Sequence, residues 1–134
     1  ALAAHGIAAE RRVVGDDASA ISEAVRSALA GGRRIVITCG GTGVGPSDVT
    51  AETVAPMLTY ELPGIAEEIR RRGMAATSIA LVSREVAGVI VDQVRPPAFV
   101  LAAPGSRGGV RDAIAVVGPL LRYLIKQLDG EGAH

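Results

Sequence analysis

Apolar positions run through this chain in two alternating rhythms. Ile21, Val25, Ala28 and Leu29 recur at helical spacing after the Asp16-Asp17 pair, and Gly31-Gly32 end that stretch. Residues 33–39 follow as a continuous β-branched run, the mark of a central parallel strand covered on both faces. A helix is predicted from Thr50, as N-cap, to about Leu58, and another over Ile65 to Arg72 with Pro63 in its first turn. A short helix is expected within 75–84, then strands over Val86 to Val91 and Ala98 to Ala103. The last stripe, Val110, Ile114, Val117, Leu121, Leu124 and Leu128, predicts a helix kinked by Pro119 near Gly118. Upstream, Ala1 to Ala4 read as the last turn of a helix capped by Gly6, and Ile7 to Val14 as a strand. A chain that opens inside an element leads us to expect residues ahead of Ala1. Alternation of strands and helices predicts an α/β fold around a mostly parallel sheet.

Composition narrows the classes. With 134 residues, the chain is read as one domain over 1–134, and its core must be aliphatic because aromatics are only 2% against 49% hydrophobic residues. Fourteen basic and fourteen acidic side chains cancel, which with so few aromatics argues against nucleic acid. Arg70, Arg71 and Arg72 are expected as the solvated end of a helix. The single cysteine, Cys39, excludes an internal disulfide, suits a reducing cytoplasm and is read as a small buried filler. His5 and His134 have no metal-ligand spacing and are read as incidental. No stretch has the length and apolarity of a membrane span.

Candidate chemistry sits at two strand exits. "GGTGVG" at 40–45 and "PGSRGG" at 104–109 are both glycine-rich loops after apolar runs, placed to form two lips of one crevice. The first is not a P-loop, because Pro46 stands where that motif needs lysine, nor a dinucleotide fingerprint, whose third glycine falls on the same proline. What remains is either a tight turn or a nest of backbone amides for an anion, closed by Asp48; on spacing alone the turn is the simpler reading.

The blocks "GGTGVGPSDVTAETV", "ELPGIAEEIR", "SREVAGV" and "APGSRGGVRDAI" together resemble the molybdopterin-binding family of molybdenum cofactor biosynthesis, with its Mog-type adenylyltransferases and MoaB-type proteins. The likeness runs from about residue 7 to 128. It implies a three-layer α/β/α fold, a homotrimer, and Mg-ATP-dependent adenylylation of molybdopterin with release of pyrophosphate ahead of molybdate insertion, which implies a molybdate-insertion protein as a further partner. A MoaB-type protein that only binds or carries molybdopterin is the alternative, and a nucleotide-processing enzyme on the same fold a remoter one. Mapped onto this chain, the resemblance puts Gly40, Gly41, Thr42 and Gly43 in the pterin pocket and Pro104, Gly105 and Ser106 at the terminal phosphate. It makes Asp48 and Asp16 the catalytic acids and Mg²⁺ ligands. The family's opening strand with its Ser-Asp signature is absent, so the site is expected to be incomplete in this sequence.

Adenylyl transfer to a phosphate oxygen needs no strong base, since the nucleophile is already an anion; positioning and charge neutralisation carry it. Against each assignment stands a plainer one. Asp48 could be a helix-start acid, Thr42 could close its own turn, and either Asp16 or Asp17 could be the N-cap of the helix after them. Ser106 has a hydroxyl and amides to offer a phosphate at a helix start. Arg107 and Arg111 read as solvated surface, and Ser83-Arg84 has no assigned role.

Overall fold

A computed structural model describes residues 2–131. In chain order the main elements are α1 (Ala18–Ala30), β1 (Ile35–Cys39), α2 (Thr50–Val54), β2 (Tyr60–Glu61), α3 (Pro63–Met74), β3 (Val86–Ile90), β4 (Ala98–Ala103), α4 (Arg107–Val117) and α5 (Leu121–Leu128). Short 3-10 turns cover Leu2–His5, Ala55–Met57, Ser78–Val82 and Gly118–Leu120. The sheet runs in the order β1-β4-β3-β2.

β4 lies between β1 and β3, and every one of its residues is buried. Its alternation feeds two cores. Phe99, Leu101 and Ala103 pack with Ile69 of α3, Ala113 and Val117 of α4 and Leu121 of α5. Val100 and Ala102 meet Ile21 of α1 and Val54 of α2, while Ala98 packs with Val25 and Leu29. Helices therefore cover both faces, and the α/β class and the three layers are as expected.

The sheet is mixed, which corrects the expectation of a mostly parallel one. β1 and β4 pair in parallel from Ile35↔Phe99 to Cys39↔Ala103, but β3 runs antiparallel to β4 and β2 antiparallel to β3. The seven residues between Ile90 and Ala98 explain this, because a parallel crossover needs about a dozen or more residues. β1 is an edge strand among the described residues and only half-buried, whereas its β-branched run reads as central. Residues 7–14, expected as a strand, form none and join no ladder among the described residues, and Val13 is 86% exposed. β2 has no sequence signal, being two exposed residues held where Gly88 leaves room: a Cβ there would overlap the Tyr60 carbonyl.

Smaller readings change as well. Thr50 is the first residue of α2 and not its cap; Val49 holds the cap position without a side-chain bond. The helix turns 3-10 at Ala55, ahead of Pro56. The segment expected as a short helix within 75–84 is the 3-10 turn Ser78–Val82. The final stripe breaks at Gly118-Pro119 as expected. His5 is not incidental, since its ring lies where a Cβ on Gly118 would be. Cys39 is exposed, because the strand that carries it is an edge. His134 and Ala1 lie outside the described residues.

Candidate functional site

Because β1 and β4 are parallel neighbours, the loops after Cys39 and Ala103 leave the same end of the sheet. The helices they lead to diverge: α2 packs on one face and α4 on the other. That divergence opens a crevice at the carboxyl ends of adjacent strands, where α/β proteins bind ligands. The two loops touch at its floor. Gly40 N–H donates to the Ala103 carbonyl at 2.9 Å, and a Cβ on Gly105 would sit 2.9 Å from Gly40 Cα. Only glycine fits at either place.

Inside the first loop the glycines answer to local packing. Gly40 and Gly41 have φ of +105° and +70°, and a side chain at Gly41 would overlap the Thr50 hydroxyl. At Gly43 a Cβ would lie 2.7 Å from Asp48 Oδ2. The same Oδ2 accepts from Gly45 N–H at 2.9 Å, so Asp48 closes the loop it belongs to. Thr42 is buried, with its hydroxyl 3.5 Å from Ser83 Oγ, a contact across the fold and not one that closes its own turn. In the second loop Ser106 caps α4, its Oγ accepting from Gly109 N–H at 3.0 Å, beside half-buried Pro104 and exposed Gly105.

The acid pair divides its roles. Asp17 is the N-cap of α1, accepting from Ala20 N–H at 3.0 Å, which leaves Asp16 free of that task. Asp16 is exposed and makes no hydrogen bond or ion pair to either glycine loop. Among the described residues no three His, Cys, Asp or Glu side chains gather as a metal cage. A Mg²⁺ site of one or two carboxylates completed by substrate phosphates and water does not need one. Asp48 fits that donor set through Oδ1, which carries no hydrogen bond among the described residues.

Sequence spacing missed the residues behind the loop. Arg84, just before β3, donates from Nε to the Gly43 carbonyl at 2.7 Å and from Nη2 to the Asp48 carbonyl at 2.9 Å and to Glu52 Oε1 at 3.0 Å. Its own N–H donates to the Thr42 carbonyl at 2.6 Å. Arg70, expected to be solvated, instead reaches the Ser83 carbonyl at 3.2 and 3.0 Å and stands 3.8 Å from Glu85. Glu85 is buried, and neither of its carboxylate oxygens has a hydrogen-bond partner among the described residues. These side chains line an open cavity of about 470 Å³ beside the first loop. A smaller hollow of about 130 Å³, lined by Arg33, Arg34 and Arg95, lies at the other end of the sheet. Arg107 and Arg111 are exposed, as expected. At the foot of the first loop, burial around the sulfur pushes the Cys39 thiol up from its ordinary value, and the Arg11 charge opposes that shift.

The chain matches the family described as "Probable molybdopterin binding domain" over residues 1–123, and it belongs to that family. It is similar to the molybdenum cofactor biosynthesis protein B of Staphylococcus carnosus, 38% identical over 119 residues, covering 87% of this chain and 67% of the relative. It is also similar to the molybdenum cofactor biosynthesis bifunctional protein of Chlorobaculum tepidum, 36% identical, covering 87% of this chain but 36% of the relative. The chain thus spans about a third of the length of that bifunctional relative. A crystal structure of a molybdopterin biosynthesis protein from Mycobacterium abscessus superposes with a TM-score of 0.84 at 42% identity, covering 96% of this chain and 80% of that one. Both these relatives are named for molybdenum cofactor biosynthesis.

Proposed function

We propose that this chain binds molybdopterin in the crevice between the two glycine loops and transfers an adenylyl group to it from ATP. A terminal phosphate oxygen of molybdopterin attacks the α-phosphorus of ATP, the bond to the β-phosphate oxygen breaks, and pyrophosphate leaves. The observation that carries this reading is the contact of Gly40 with Gly105 at the ends of two parallel strands, which brings both family-like loops into one site. The α4 N-terminus, capped by Ser106, offers its first amides to the pterin phosphate. Gly40, Gly41 and Gly43 let the pterin approach the backbone, and Asp48 and Asp16 supply the acidic side of the site. Mg²⁺, when bound, would neutralise charge between Asp48 and the triphosphate. The same reading includes a homotrimer, cytoplasmic location and hand-over of the product to a molybdate-insertion protein.

A carrier that binds molybdopterin without adenylylating it is the second reading. It is favoured by Asp48 Oδ2 being taken up by Gly45 N–H, which leaves a single carboxylate oxygen for chemistry. Incubation of the protein with molybdopterin, ATP and Mg²⁺ separates the two: adenylylated pterin and pyrophosphate are expected, whereas pterin binding with no product would leave the carrier.

A further inference from the structure

We propose that Arg84 is the positioning residue of the first glycine loop, turning its carbonyls inward so that its amides face outward as a receptor for a phosphate-bearing ligand. Three loop carbonyls, those of Thr42, Gly43 and Asp48, converge on Arg84. The described chain has no cis peptide bonds. In a trans peptide plane the N–H points opposite to the C=O, so holding these carbonyls turns the N–H groups of Gly43, Val44 and Val49 away from Arg84. None of those three N–H groups has an acceptor among the described residues. The Arg84 side chain fixes the Gly43 and Asp48 planes, and its backbone N–H fixes the Thr42 plane. The Gly43 and Val49 donors are half-buried, where amides normally find a partner, and with that of exposed Val44 they describe a surface prepared for an acceptor.

The loop could not hold this arrangement unaided. Four of its six residues from 40 to 45 are glycine, and free glycines sample many backbone states. Arg84 arrives from 36 to 41 residues away, and its planar fork binds two carbonyls at once, which lysine's single ammonium does with poorer geometry. It is itself held from behind. Arg70 grips the Ser83 carbonyl with two donors, so α3 braces the Ser83-Arg84 step against the loop. The guanidinium also adds positive charge beneath the amides, offset in part by Glu52.

This proposal rests on the loop being a ligand site, and its test keeps the two ideas apart. Amide resonances of Gly43, Val44 and Val49 are followed by NMR while inorganic phosphate, and separately molybdopterin, is added to wild type, Arg84→Lys and Arg84→Gln. In wild type all three amides should shift with both probes. Losing one charge-assisted contact corresponds to about a 10- to 100-fold loss of affinity, expected to be smaller in Arg84→Lys and larger in Arg84→Gln. Hydrogen exchange in both variants should quicken over 42–49 and stay unchanged in β3 and β4. Arg84→Lys keeps the charge and serves as the working variant if Arg84→Gln does not fold. A folded variant with wild-type phosphate affinity and unchanged exchange over 42–49 overturns the proposal, as does silence of the three amides to both probes. Response to phosphate with none to molybdopterin supports the role of Arg84 and removes the pterin reading.

Discussion

Asp48 is where the turn and the proposed active site meet in one side chain. Its Oδ2 closes the loop on Gly45 N–H while Oδ1 carries no hydrogen bond among the described residues, so charge and shape can be separated by substitution. Asp48→Asn keeps an oxygen acceptor for Gly45 and removes the charge. If the charge acts on the transferring phosphate, turnover should fall on the order of 10²-fold, with kcat and kcat/KM falling together. Stability should change by at most about 1 kcal/mol, as for a helix-start acid, read from the melting temperature. Near-normal turnover in Asp48→Asn would leave Asp48 as a loop closer only. Cys39 gives a second prediction at this scale. Its thiol is raised by burial and lowered by Arg11, so alkylation at neutral pH should be slower than for a free cysteine, although the residue is exposed. Arg11→Gln should slow it further; faster alkylation in that variant would contradict the assignment. At this scale the glycines and Asp48 were legible, because a strand exit dense in glycine demands a reason. Arg84 was not, since no local pattern links residue 84 to carbonyls at 42, 43 and 48.

Among the elements, β4 was readable to the residue because all six of its side chains are buried and both its boundaries are marked, by Pro97 and Pro104. β1 misled for a physical reason: a β-branched run signals burial of its faces and says nothing about whether its flank is paired. Strand direction was legible in principle from the short link between β3 and β4, which leaves no room for a crossover. The break between α4 and α5 offers a test. Gly118 is buried, and His5 fills the space a side chain there would need. Gly118→Ala should destabilise the protein by about 1–3 kcal/mol through overpacking. His5→Ala alone should cost less, and the double variant should recover part of the Gly118→Ala loss. Thermal or urea melts of the four proteins check this; additive losses would mean that the two residues do not share the space.

For the whole molecule, the aliphatic core and balanced charge set the class, and the family blocks set the fold. Sequence alone did not show which surfaces remain uncovered. Ile79, Leu81 and Val82 are 73%, 58% and 51% exposed within the 3-10 turn Ser78–Val82 after α3, an apolar ledge of the kind that association covers. A homotrimer is expected, so sedimentation velocity should return about three times the chain mass of 13.6 kDa at micromolar concentration. A stable species at the chain mass would remove the trimer.

The backbone contact of Gly40 with Gly105 also bears on how a ligand could enter. A hydrogen bond from Gly40 to Ala103 and two backbones in contact leave no hinge at the floor of the crevice. The outer residues are different: Val44, Gly45, Pro46 and Ser47 on one lip and Gly105 to Gly108 on the other are exposed. For the proposed site, the exposed rim and not a parting of the strands is the expected route of entry and exit. A ligand of the proposed site would then enter past short loop tips, whose motions are typically on the nanosecond-to-microsecond scale. If the proposed site is right, a substitution at Ser47 should alter how fast the ligand comes and goes while leaving the Gly40–Gly105 floor intact.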